Sequence, residues 1–285
     1  MLTPRLYNLD VSFVVFMLHL IPFVLMNVFL YKEYARLKEF TREDWFFFLL
    51  VALFGGALGT LAIVKALFLV EFKQLSVVVL LQKLQPVFAI LLASVLLKEK
   101  IKKNFVIWAA LAVLASYFLA FGFQLPNFET SSNTAYAAIF ALLAAFSFGS
   151  STVFSKKVLQ KYDFKTATFY RFGLTALLML AYVLPMGLIS VQLPQVTQLN
   201  WIIFLITAVT TGSGAIFIYY YGLTRVTAVV STICELFFPI SAVFFDFVFN
   251  GTVLTPVQWA SALVLMAAVV KISLDNARPT GAVAT

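Results

Sequence analysis

Residues 80–101 read LLQKLQPVFAILLASVLLKEKI, and residues 233–254 read ICELFFPISAVFFDFVFNGTVL. The two stretches align on Pro86 and Pro239, 153 residues apart. The segments before them align as well: Trp45 opens WFFFLLVALFGGALGTLAIVKAL, and Trp201 opens WIIFLITAVTTGSGAIFIYYYGL 156 residues later. The three-residue difference falls in the intervening loop, where insertions are tolerated. Self-similarity over this length marks a chain built from two copies of one unit. Each aligned stretch is about 20 apolar residues long, the length a helix needs to cross a bilayer.

The rest of the chain agrees. Of its 285 residues 62% are hydrophobic and 11% charged, with a mean hydropathy of +1.00. Soluble domains run at roughly 45–50% apolar and about 25% charged, so this composition leaves too little polar surface to face water. No polar alternation of period two appears, which excludes an outer-membrane barrel. Nine apolar stretches are expected to span, at 11–31, 45–66, 74–97, 104–123, 135–155, 166–188, 201–223, 227–249 and 255–274. The fold class is an all-α polytopic membrane protein. A single cysteine, Cys234, excludes an intrachain disulfide, and a single histidine, His19, argues against a zinc site or a hydrolytic triad. Neither a metal nor a cofactor is expected.

Basic residues set the orientation. Lys32, Arg36, Lys38 and Arg42 follow the first span, Lys98, Lys100, Lys102 and Lys103 the third, and Lys156, Lys157, Lys161 and Lys165 the fifth. With Arg225, Lys271 and Arg278 they fall on one side, against Arg5 and Lys73 on the other. The C-terminus is therefore expected in the cytoplasm and residues 1–10 outside. The net charge of +8 is explained by this topology, which removes the motive for nucleic-acid binding.

Carried backwards, the register matches RLYNLDVSFVVFMLHLIPFVLM (5–26) to KKVLQKYDFKTATFYRFGLTALLML (156–180), with Asp10 near Asp163. The fifth span, AYAAIFALLAAFSFGSSTVFSKK, finds no counterpart in the first copy. The expectation is a first repeat of four helices in residues 1–130 and a second of five in residues 131–285. The topology is inverted, with Trp45 and Trp201 starting from opposite faces, and ten helices would make the complete design with the first one missing here.

In repeat transporters solutes bind near the midplane, so deep polar groups are the candidates. An ionised side chain at a helix centre costs roughly 2.5–3.5 kcal/mol on insertion scales and needs water, a partner or a substrate. Gln82, Lys83 and Gln85 precede Pro86, and Glu235 precedes Pro239. Gln82 and Glu235 are repeat-equivalent and are expected on opposite walls of one cavity. A Lys83–Glu235 pair is open, as is the alternative that these groups only hold helices together. Pro86 and Pro239 would kink their helices and free carbonyls one turn earlier. Tyr219 and His19 are further candidates for solute contact, whereas Tyr221 reads as an interfacial-belt residue and Arg171 as an anchor snorkelling to the cytoplasmic surface. Gly55, Gly59, Gly149, Gly212 and Gly214 are expected to let helices pack closely.

The small-residue stretch FGSSTVFSKK (148–157), FYRF (169–172) and LxPVFAxLLASxLLxE (84–99) resemble the drug/metabolite transporter superfamily, EamA family. Glu99 stands where that pattern has its acid, and the second half departs with Thr252. The resemblance implies a secondary transporter, facilitated or ion-coupled, carrying small organic metabolites such as amino acids by alternating access, with export the expected direction. It also implies the plasma membrane of a bacterium or archaeon. The partners expected are the lipid bilayer, a small-molecule solute and a coupling proton. No GxxxxGK[ST] loop is present, so ATP is not the direct energy source. The competing readings are a membrane-embedded lipid-modifying enzyme and a channel; the spans hold neither the paired acids of the first nor the filter loop of the second.

Overall fold

The computed structural model describes residues 6–70, 78, 81–82, 84–99, 103–123, 132–237, 241 and 255–276. Among these residues all regular structure is helical. Helix α1 (Val11–Leu30) starts where the Asp10 carboxylate accepts the amides of Ser12 and Phe13. Helix α2 (Arg42–Leu69) starts at a capping box in which Thr41 and Asp44 each satisfy the other's backbone amide. Then follow α3 (Gln85–Leu96), α4 (Lys103–Phe121), α5 (Ser132–Leu159) and α6 (Phe164–Val183), the last capped by Asp163. Helix α7 (Gln198–Leu223) opens on a second capping box, Thr197 with Asn200, and α8 (Ala228–Cys234) on Thr227. Helix α9 (Pro256–Asn276) ends the described chain.

Among the described residues five segments are long and apolar enough to cross a membrane: Val11–Glu39, Arg42–Leu69, Ala135–Leu159, Phe164–Val183 and Gln198–Leu223. Shorter apolar helices, Gln85–Leu96, Lys103–Leu119, Ala228–Phe237 and Pro256–Ile272, fall within or overlap the other four expected stretches, parts of which lie outside the described residues. Large apolar side chains such as Phe29, Val95, Ile218 and Leu274 stand on the outside, the surface that hydrocarbon covers in an integral membrane protein.

Packing couples like-numbered members of the aligned stretches. Helix α1 lies along α6, α3 against α8, and α4 along α9, while the second half of α2 runs along α5. His19 rests against Phe172, 5.4 Å between ring centres and 153 positions apart in the chain. Helix α2 begins beside the α5–α6 turn, where Asp44 accepts from Lys161 and Tyr162; α7 begins beside the start of α1, where Asn200 and Asn8 exchange amide contacts. The two helices thus start from opposite ends of the bundle.

Each of these two helices contains a π-helical segment, Val51–Leu58 in α2 and Ala208–Gly212 in α7. A π turn is wider than an α turn and leaves a carbonyl without its usual partner, a device concentrated at functional sites.

One expectation changes here. Residues 31–44 are expected as a connection between spans, yet Tyr31–Glu39 winds as a 3-10 helix, its Glu33 carboxylate accepting from Thr166 and its Glu33 carbonyl from Tyr170. Pro86 is expected to kink its helix, and the regular turns are interrupted there: Leu81 and Gln82 are helical, the Leu84 amide bonds the Leu81 carbonyl in a tight turn, and α3 resumes at Gln85 with Pro86 in its first turn. Helix α8 stops short as well: after Cys234 it tightens into the 3-10 turn Glu235–Phe237. Pro239 lies outside the described residues.

Candidate functional site

The hydroxyl run SSTVFS in α5 places Ser151, Thr152 and Ser155 on one face, because residues three and four apart are neighbours on a helix. That face, with Arg171 of α6, Ile216 and Tyr219 of α7, Glu235 at the end of α8, and Gln82, Gln85 and Pro86 at the start of α3, encloses a cavity of about 650 Å³. Small-molecule sites typically occupy roughly 300–1,000 Å³. Both helices broken at this level, α3 before Pro86 and α8 after Cys234, end their regular turns at the cavity wall.

Two parallel hydrogen-bond chains order the wall. In the first, Glu235 accepts from the Gln85 amide at 2.5 Å and from the Tyr219 hydroxyl at 2.8 Å. Tyr219 in turn lies 3.0 Å from Thr152 and accepts from Ser231. In the second, Arg171 donates to the Tyr220 hydroxyl at 2.9 Å, and that hydroxyl lies 2.6 Å from Ser155. The other terminal nitrogen of Arg171 donates to the Gly55 carbonyl at 2.7 Å, inside the π segment of α2. Adjacent tyrosines of α7 therefore serve an acid and a cation, and each ends on a hydroxyl of α5.

The first expectation overturned at the site is Arg171. It does not snorkel to a surface; it is buried, its guanidinium 5.7 Å from the Tyr220 ring centre. The Gly55 carbonyl in the π segment and the Tyr220 hydroxyl accept from it, so these donors find partners without reaching water. Gly55 is needed for this, since a Cβ there would overlap Ser151 and lie 3.0 Å from the Arg171 terminal nitrogen.

Glu235, Gln82, Gln85, Tyr219 and Pro86 are brought together as the sequence implies. Lys83 lies outside the described residues. His19 is not among the lining residues; its Nδ1 donates to the Val15 carbonyl at 2.8 Å and its ring packs on Phe172 between α1 and α6. Tyr221 is exposed and stacks under Arg225, whose guanidinium carbon is 3.7 Å from the ring centre. Gly149 allows backbone contact with α3, where a Cβ would come 2.7 Å from the Gln85 carbonyl. Gly59 faces its own helix's Phe54 carbonyl and the Phe148 ring. A Cβ at Gly212 would meet the Thr207 carbonyl of its own helix first and then, at 3.8 Å, Pro22 of α1, and one at Gly214 would meet the Val209 carbonyl of its own helix.

The roles of Arg171, Ser151 and Ser155 escape sequence reasoning, while Tyr220 stands in a tyrosine run whose rings suit either a pocket or the interfacial belt. The signal available for the hydroxyls is their run inside an apolar span, SSTVFS, which also fits plain small-residue packing. Among the described residues, four buried side-chain polar atoms lack a partner, and three of them belong to this cavity's lining: Ser151 Oγ, Arg171 Nε and Thr232 Oγ1. Each such atom typically costs about 1–3 kcal/mol.

The end of the bundle that carries the basic loops is tied shut nearby. Glu99, at the end of α3, accepts the first amides of α8, Ala228 at 2.9 Å and Val229 at 3.1 Å. Lys156 donates to the Leu223 carbonyl at 2.6 Å, at the last turn of α7.

A family model described as the EamA-like transporter family matches residues 2–121 and, separately, residues 135–274. A riboflavin transporter, ImpX, from Fusobacterium nucleatum subsp. nucleatum is 54% identical over 276 residues, which is 96% of this chain and 92% of that protein. A solved crystal structure superposes with a TM-score of 0.70, covering 96% of this chain and 91% of its own, at 14% identity, a likeness of fold alone.

Proposed function

We propose, from the premise that this chain belongs to the EamA-like transporter family, that its solute is riboflavin. At the level of the family it is an integral membrane transporter of small metabolites and not an enzyme. The observation that carries the finer reading is the 54% identity to a riboflavin transporter along nearly the whole of both chains. The cavity supports it. An uncharged solute with an aromatic ring and a hydroxylated chain suits a wall that combines Phe148, Ile216 and Leu236 with Gln82, Gln85 and Glu235. An amino acid rests on a Lys83–Glu235 ion pair, whereas Glu235 here is held by the neutral donors Gln85 and Tyr219.

Transport proceeds by alternating access, with residues 1–130 rocking against residues 131–285 about the level where α3 and α8 are interrupted. Discontinuous helices at the solute level are the usual construction of such sites. The chain sits in a bacterial plasma membrane with its basic end in the cytoplasm. Glu235 is the acid of the described cavity wall and the group on which a coupling proton rides.

Purified protein in proteoliposomes tests this directly. Saturable riboflavin movement above protein-free vesicles is expected, insensitive to excess amino acids and altered by an imposed pH gradient. Loading the flavin inside or outside reads the direction. Flux equal to that of empty vesicles sinks the riboflavin reading, and flux indifferent to the pH gradient sinks the coupling.

A further inference from the structure

We infer that Arg171, with Ser151 beside it, is the specificity-determining pole that holds the hydrogen-bond-accepting edge of the solute's ring, while the Gln82–Gln85–Glu235 wall faces its hydroxylated chain. The assignment of ring and chain rests on the riboflavin reading.

Three observations carry it. Arg171 is a buried cation with no carboxylate in ion-pair contact among the described residues. Its terminal nitrogens are spent on Tyr220 and the Gly55 carbonyl, which fixes the guanidinium and leaves Nε unpartnered. Ser151 Oγ, likewise unpartnered, sits with that guanidinium against the same glycine, Gly55. A fixed cation without an anion and a hydroxyl without a partner, both already shielded from water, form strong hydrogen bonds with an incoming acceptor because no water has to be stripped from them first. In this proposal the Ser151 hydroxyl turns about its Cα–Cβ bond to meet the solute, since Ser151 lines the cavity while its oxygen is buried in the empty protein. The opposite wall offers amides and a carboxylate, which suit a chain of hydroxyls that both donate and accept. Pyrimidine-ring carbonyls and ring nitrogens are the acceptors a flavin presents.

The test has two arms. In proteoliposomes, riboflavin uptake is measured together with competition by lumiflavin, which keeps the ring and has a methyl group in place of the hydroxylated chain. Ser151→Ala and Arg171→Lys should raise the riboflavin KM and the lumiflavin inhibition constant together, by about tenfold for Arg171→Lys. Gln82→Ala should raise the riboflavin KM and leave the lumiflavin constant unchanged. Unchanged lumiflavin competition in Ser151→Ala and Arg171→Lys overturns the proposal.

The second arm needs no solute. A hydroxyl with no partner contributes nothing to the empty protein, so Ser151→Ala should melt in detergent at or above the wild-type temperature. A fall shows that the hydroxyl holds a protein partner and overturns the pole whatever the solute. Wild-type vesicles that carry no riboflavin overturn the flavin assignment alone, and the melting arm then decides the pole.

Discussion

The π segments of α2 and α7 share an entrance and differ in everything opposite. Each follows a Thr capping box and a tryptophan at a spacing of 156 residues. Yet 56% of the apolar stretch in α2 is buried against 17% in α7. In α2 the carbonyls of Ala52 and Gly55 are taken by Thr175 and Arg171 of the neighbouring α6. In α7 the Ala208 carbonyl is taken by Ser213 of the same helix. The local sequence makes the wide turn; the neighbour decides whether it becomes a site. Polarity was placed by α6, not by the helix that carries the irregularity.

The strongest test exchanges the residues that differ. Position 55 is glycine and its counterpart, 211, is an exposed threonine. Gly55→Thr should cost about 1–3 kcal/mol, the usual price of overpacking, and abolish transport by displacing Ser151 and Arg171. Thr211→Gly should stay within about 1 kcal/mol and transport normally. Melting in detergent alongside flux reads both, and equal effects at the two positions would show that the surroundings do not matter.

A smaller contrast follows from the hydroxyls. Thr175→Val preserves shape but strands the buried Ala52 carbonyl, with an expected loss of about 1–2 kcal/mol. Ser213→Ala, at the half-buried segment of α7, should lose less than about 1 kcal/mol. The order of the two melting temperatures is the check.

The smallest effect concerns the caps. Asp44→Asn copies Asn200 into the first capping box, keeping the cap and removing the charge that Lys161 meets at 2.5 Å. Because the Lys161 end of the pair is exposed, only a slight fall in melting temperature is expected, and high salt should reduce it. Lys161 is held above the ordinary lysine range, first by its hydrogen bond to Asp44 and then by Tyr162. A raised value means the bridge's contribution is complete below the ordinary lysine range and is lost only as pH climbs past the raised one. The difference between wild type and Asp44→Asn should therefore close in strong alkali.

Much of the fold was legible before any coordinates. Trp45 and Trp201 mark where α2 and α7 begin because TRED and TQLN both write a capping box, and apolar length alone announces the membrane. Glu235, Gln82 and Gln85 were found by depth, since an acid that far inside a span must meet something. The partner proved to be Gln85, one turn beyond the position the alignment paired. Arg171 was not legible: a lone cation two turns from a helix end reads as an anchor unless the Gly55 carbonyl and the Tyr220 hydroxyl are known to lie opposite. Gly212 and Gly214 look like any close-packing glycines, yet the nearest obstacles to a Cβ at either are carbonyls of their own helix.

The carboxylate of Glu99 bears on how the chain is made. Helix α8 has two caps, its own Thr227 and this acid from the end of α3, 129 residues earlier than Ala228. During synthesis the acid is in place long before α8 leaves the ribosome. The first turn of α8 thus arrives with its docking point already synthesised, and placing it becomes a matter of assembly with the helices made before it.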